Sequence, residues 1–376
     1  MARWDETILD DAAAVERLDT RATLLALATA GAQVREGLRL ADDAGAHRVV
    51  HGDRPRGVVV GSLGGSSVVA DVLELLTQPG SPVPLVTRHD VPLPGWVGAL
   101  DLVIGVSHSG RAPGPVALVA EAVRRGASVF TVGASDSPLA DISARGRGVH
   151  VDVPVGRVST RTSLWALLTP VLVAAEHLGL TRLGHRVLPE VADRLDRAAA
   201  AYGPAVAFFD NPAKLLAADL AHGIPVVLGA GPLSGVAARR GASMLSRTAR
   251  VPATWGELPD AASQVVALLD GPYAGVHDLP DIFRDPFLDG PTDPRLTMLL
   301  LRGADPEHEP LADGVAESAR AAGLRVSDHR ADTGHDLGQL AQLVALVDFA
   351  ATYLALGLGL DPGVSEHVTR LRDHTS

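Results

Sequence analysis

Arg56-Gly-Val-Val-Val-Gly-Ser-Leu-Gly-Gly-Ser-Ser67 is a β-branched run that stops in a turn of glycines and serines and passes into the helical pattern of Val68 to Leu76. Strand, glycine turn and helix in direct succession are the repeating unit of a parallel α/β sheet. The unit recurs downstream. Val83–Thr87 and Asp101–Ser107 read as further strands, and the second of them ends in Ser107-His108-Ser109-Gly110 before a helix from Pro113 to Arg125. Ala127–Gly133 and Gly148–Val153 follow as strands around a short helix at Pro138–Arg145, and helices near Thr162–Leu178 and His185–Ala200 close this half. Five short strands in continuous apolar runs predict a buried sheet, doubly wound in the flavodoxin-like manner, with helices on both faces.

Upstream, Ala12 to Ala44 reads as helical, with Leu18, Leu24, Leu25, Val34 and Leu38 along one face. Downstream, Ile224–Gly229 runs into Ala230-Gly231-Pro232-Leu233-Ser234 and a helix to about Arg247. Strands are expected at Val251–Trp255, Gln264–Leu269, Leu296–Leu301 and Leu324–Asp328, and helices at Leu311–Ala322 and Asp336–Leu358. The proline-rich stretch Gly271 to Pro294 reads as a long loop. The expected organisation is an N-terminal helical segment over 1–50 and two α/β domains of one type, 51–205 and 206–376.

Composition sets the limits. A chain of 376 residues has room for two cores, and 47% hydrophobic content excludes a disordered protein. A net charge of −11 argues against a nucleic-acid partner, which calls for a basic surface. With no cysteine, thiolate zinc sites and cysteine nucleophiles are excluded. The only lysine is Lys214, the one candidate for any lysine chemistry. No apolar signal core opens the chain and no apolar run reads as long enough for a membrane span, so a cytoplasmic protein is expected.

Two turns carry chemistry. Gly61 to Ser67 follows a strand and opens a helix, where glycines let a ligand approach the backbone and free amides favour an anion. Its plain alternative is a tight βα turn with Ser66 as the helix N-cap. The dinucleotide and P-loop spacings are absent, and without a lysine in the turn nucleotide hydrolysis is not expected. Ser107-His108-Ser109-Gly110 also ends a strand, at the edge where open α/β sheets collect ligands. Two such turns in one sheet point to a phosphate ester. His108 is either a surface histidine or a charge beside that phosphate. His329, Asp332, His335 and Asp336 have metal-ligand chemistry but precede a helix that Thr333 and Asp336 suit as caps, so neither a metal nor a cofactor is expected.

Gly64-Gly65-Ser66 after one strand, Ser107-x-Ser109-Gly110 after another, and a second half of the same type resemble the sugar isomerase (SIS) domain family. The tandem is similar to the bifunctional phosphoglucose/phosphomannose isomerases and their actinobacterial relatives. Arg161-Thr-Ser-Leu-Trp165, Val251-Pro-Ala-Thr-Trp255 and Glu257-Leu-Pro-Asp260 resemble that subfamily's stretches in the same order. The resemblance implies a homodimer of two-domain subunits that binds a sugar phosphate, with Gly64, Gly65, Ser66, Ser107 and Ser109 on the phosphate and Arg161 steadying an enediolate.

The sequence also departs from that family. Where the serine turn ordinarily continues to a threonine, this chain has Ala112 and then Pro113-Gly114-Pro115. The glutamate base falls at Arg247 and the ring-opening histidine at Ser263, and the expected C-terminal lysine is missing, with only Arg370 and Arg372 there. Aldose–ketose isomerisation moves a proton between C1 and C2 and needs a base, which arginine does not supply at neutral pH. Losing a general base costs about 10²–10⁴-fold. The expectation is therefore a phosphosugar-binding protein with weak or no isomerase activity, in a sensing or regulatory role. The alternative is an active isomerase with relocated acid–base groups, drawn from Glu257, Asp260, His222 and His335.

Overall fold

The computed structural model describes residues 4–49, 54–77, 80–154, 161–274 and 295–373. The chain divides into two compact units, one formed by Ala28–Arg197 and the other by Met1–Leu27 with Ala198–Ser376.

In the unit Ala28–Arg197, five strands, β1 (Val58–Ser62), β2 (Leu85–Arg88), β3 (Leu102–Ser107), β4 (Ser128–Gly133) and β5 (Val149–Asp152), form one sheet in the order β2-β1-β3-β4-β5. Every pairing is parallel, and Ser62 stands opposite Val106 while Ser107 stands opposite Gly133. This is the flavodoxin-like strand order. All of β1 and β3 is buried, as their unbroken apolar text predicts. Helices α3 (Ala30–Asp43), α4 (Ser67–Thr77), α5 (Pro113–Arg124), α6 (Pro138–Arg145), α7 (Leu164–His177) and α8 (Gly184–Tyr202) accompany the sheet; α1 (Ala12–Leu18) and α2 (Thr23–Ala28) come before them in the chain. Leu118 and Val119 of α5 pack onto Gly61 and Gly105, the positions where β1 and β3 carry no side chain.

In the other unit, β6 (Ile224–Ala230), β7 (Thr254–Leu258), β8 (Leu296–Arg302) and β9 (Arg325–Arg330) form a parallel sheet in the order β7-β6-β8-β9. It repeats the first sheet's order without the fifth strand. Its helices are α9 (Pro212–Leu220), α10 (Pro232–Met244), α11 (Ala262–Leu268), α12 (Glu309–Ala321), α13 (Asp336–Gly357) and α14 (Glu366–Asp373). The strand expected at Gln264–Leu269 is in fact α11. Only Val265 and Leu269 of that stretch turn inward while Val266 and Leu268 are exposed, a four-residue spacing that suits a helix crossing back from β7 to β8. β7 begins three residues later than expected, past Pro252, which has no N–H for a ladder. The long loop expected over 271–294 lies outside the described residues from 275 onward.

The apolar text of α13 corrects one further expectation. Asp336–Gly357 is long and apolar enough to cross a membrane, yet from Leu337 onward all but Gln342 is buried by its own unit. Such a helix is hydrophobic all round because protein surrounds it. Inside the unit, Arg240 of α10 meets Asp348 of α13 in a bidentate ion pair at 2.7–3.1 Å, and the Tyr353 hydroxyl donates to the Tyr202 carbonyl at 2.6 Å.

Candidate functional site

The two serine turns end neighbouring strands of one sheet. β1 runs out at Ser62, and Gly64–Ser66 form one 3-10 turn before α4 starts at Ser67. β3 runs out at Ser107, and the chain turns through His108, Ser109 and Gly110 toward α5. Strands β1 and β3 are where the strand order reverses, so the crevice between them is the switch point of the sheet.

Gly64 sits at φ +62° with open space where a side chain would begin. That conformation favours glycine, and the bare backbone leaves room for a ligand to approach. The hydroxyl of Ser66 donates to the Leu63 carbonyl (3.1 Å) and that of Ser67 to the Gly64 carbonyl (2.8 Å). Ser66 is therefore part of the turn, not the N-cap of α4, and its amide also turns back on the Leu63 carbonyl (3.4 Å). At the second turn the Ser107 oxygen accepts from Ala112 N (3.4 Å) and the Ser109 oxygen from Arg111 N (3.3 Å). Both hydroxyl protons remain available to a ligand oxygen. Ser109 is exposed and Ser107 buried.

Sequence reasoning missed Ser62 and His89 and left open whether His108 lies at the surface. Ser62 Oγ is fully buried and has no hydrogen-bond partner among the described residues. His89, just past β2, donates through Nδ1 to the Ser62 carbonyl at 2.7 Å. His108 is buried, its Nε2 lacks a partner among the described residues, and burial pushes its pKa down, so the ring is neutral near pH 7. The serine that closes an otherwise apolar β1 was the one signal available for Ser62.

Pro113-Gly114-Pro115, the replacement for the polar continuation, has a packing reason. Any side chain at Gly114 would run into the His89 carbonyl, so the bare backbone lets the first turn of α5 lie against the end of β2. With alanine at 112, α5 has no side-chain cap.

Arg161 lies in the same unit, half-buried, just ahead of α7. Glu257, Arg247 and Ser263 belong to the other unit. Glu257 is at the end of β7, where burial, reinforced by Asp260 and opposed by His308, raises its pKa. Its carboxyl packs on Gly235 in the first turn of α10, and His308 packs on Gly231, where β6 enters that helix. Arg247 is half-buried in the π-turn Leu245–Ala249, and Ser263 is exposed on α11. In that unit's own crevice, Gln339 of α13 fills the space beside Gly303 and accepts from Ala304 N at 2.6 Å. No serine pair like Ser107 and Ser109 is present there among the described residues.

The histidines weighed as metal ligands are placed otherwise. His335 is the N-cap of α13, its Nδ1 accepting from Leu337 N at 3.1 Å. Among the described residues no group of three His, Asp or Glu side chains is arranged to hold a metal.

Residues 209–374 match the family described as the bacterial phospho-glucose isomerase C-terminal SIS domain. Solved structures share the fold over nearly the whole chain. The hypothetical protein TT0462 from Thermus thermophilus is 14% identical with a TM-score of 0.68, over 98% of this chain and 94% of that one. A glucose-6-phosphate isomerase like protein from the same organism is 21% identical, TM-score 0.57, over 97% and 98%. The C-terminal domain of glucosamine-fructose-6-phosphate aminotransferase from Francisella tularensis is 13% identical, TM-score 0.61, over 90% and 97%. No curated protein sequence matches the chain significantly.

Proposed function

We propose that this chain, an SIS phosphosugar isomerase-like protein, binds a sugar phosphate in the crevice between β1 and β3, the phosphate lying against Gly64, Gly65, Ser66, Ser107 and Ser109. The observation that carries this reading is the meeting of two glycine and serine turns at the switch point of one sheet, with Gly64 left open and two hydroxyl protons unused. Isomerase activity is weak or absent, because the family's base position is Arg247 and its histidine position is the exposed Ser263. A sensing or regulatory role in sugar-phosphate metabolism, as a cytoplasmic homodimer, fits a protein that keeps the ligand and loses the reaction.

A second reading is favoured by Glu257, whose raised pKa brings it nearer to that of a useful acid or base. In it the protein is an active phosphomannose or phosphoglucose isomerase, with Arg161 steadying the enediolate. A coupled assay on fructose, mannose and glucose 6-phosphates decides between the two. The expected outcome is turnover at or near background, alongside stabilisation of the fold by at least one of the three in a thermal shift. Ser107→Ala removes one charge-assisted hydrogen bond and weakens binding by roughly ten- to a hundredfold. Turnover at ordinary enzyme rates, abolished by Glu257→Gln, establishes the second reading instead.

A further inference from the structure

Among the described residues, nothing pairs with Nε2 of His108. The ring is 9% exposed and that nitrogen is buried. A buried polar nitrogen left unsatisfied costs about 1–3 kcal/mol. Ser62 Oγ is in the same state on the adjoining strand end, opposite Val106 and so two residues from His108 in register. Both atoms belong to the strand ends that bound the crevice.

We infer that His108 contacts the anionic group of the ligand and takes up a proton as that group binds, so that affinity rises as the pH falls. This rests on the sugar-phosphate reading above. The elements around the ring carry Asp71 on α4, Arg88 and His89 at the end of β2, Arg111 after the serine turn, Asp152 on β5 and Arg161 ahead of α7. Of these, Arg88 donates to the Pro92 carbonyl (3.1 Å), Arg111 to the Asp136 carbonyl (2.9 Å), and Asp152 accepts from Ser135 N (2.9 Å). Burial disfavours the protonated form of the free ring. A negative charge arriving beside it favours the imidazolium.

Titration calorimetry of the full chain with glucose, mannose and fructose 6-phosphates, between pH 5.5 and 7.5 and in buffers of different ionisation heat, tests this. The ligand's own titration is common to wild type and His108→Gln, so the difference between them isolates the ring. Wild type is expected to take up more protons than His108→Gln near pH 6, and its affinity advantage grows roughly three- to tenfold from pH 7.5 to pH 5.5. His185→Gln, at an exposed position on α8, keeps the wild-type behaviour. In unsubstituted protein, the His108 ring titration followed by NMR shifts upward by about 0.5–1 unit when ligand is added. Equal proton uptake in wild type and His108→Gln, or an unmoved ring titration, overturns the inference and leaves the sugar-phosphate reading standing. Failure of all three sugars to bind at any pH overturns both.

Discussion

The chain's one lysine has a structural use. Lys214 is fully buried in α9, where its ammonium donates to Asp10 Oδ1 (2.8 Å), the Pro204 carbonyl (3.1 Å) and the Val206 carbonyl (2.7 Å), and sits 5.6 Å from the centre of the Tyr353 ring. All three of its donors are taken, which leaves no room for Schiff-base or base chemistry. In turn Lys214 holds Asp10 below the usual carboxylate range. Lys214→Met removes the cation and strands two carbonyls, so urea unfolding is expected to show a loss of about 2–4 kcal/mol. Asp10→Asn is milder, because its side chain is half exposed and water replaces part of what is lost.

Among the elements, the entry to α5 is the least forgiving. Gly114→Ala forces a methyl into the His89 carbonyl, two stretches of backbone that cannot both stay in place, and is expected to cost about 2–4 kcal/mol. Gly64→Ala meets no neighbour and pays only the left-handed conformation, about 1–2 kcal/mol. Chemical denaturation of the two variants side by side checks the order. The elements that read most clearly from sequence were those whose text has one meaning: the apolar run of Val58–Val60 and that of Leu102–Val106 have only a buried strand to form. Gln264–Leu269 misled because an apolar run of that length fits a strand as well as a helix, and the choice fell to the crossover from β7 to β8. The serine turns read correctly as turns at one sheet edge. What escaped the sequence there, the spent hydroxyl of Ser66, the buried His108 and the Ser62–His89 hydrogen bond, depends on local turn geometry and on packing between strands. Neither leaves a mark in residue order.

Over the whole molecule the two halves share a strand order and differ in how the crevice is filled. The first leaves Gly64 bare and two serine protons free, while the second packs Gln339, Glu257 and His308 into the corresponding turns. One sugar phosphate per chain is therefore the expected stoichiometry, and calorimetry reads it directly; two equal sites per chain are incompatible with the filled second crevice. Both halves also bury imidazoles. His108 and His150 in one and His329 in the other have pKa values lowered chiefly by burial. In the unfolded chain all three titrate near 6.5, so below about that pH the unfolded state binds more protons and stability falls as the pH drops. Asp10 and Glu121, with lowered pKa values, add to the loss only in the more acid range where unfolded carboxylates protonate. Glu257 and Asp348 work the other way: burial raises the pKa of each, so the folded form keeps a proton that the unfolded carboxyl has released, and both favour the fold on the acid side. Three imidazoles whose unfolded pKa lies inside the range outweigh two carboxyls whose unfolded pKa lies below it, so the ligand-free melting temperature is expected to fall from pH 7.5 to pH 5.5, and His108→Gln to flatten part of that slope. Saturating sugar phosphate should flatten it in the same way, since a bound anion supplies the partner that lets the His108 ring hold its proton in the folded state. A melting temperature that stays level over this range in the free protein excludes the buried neutral imidazoles on which the slope depends.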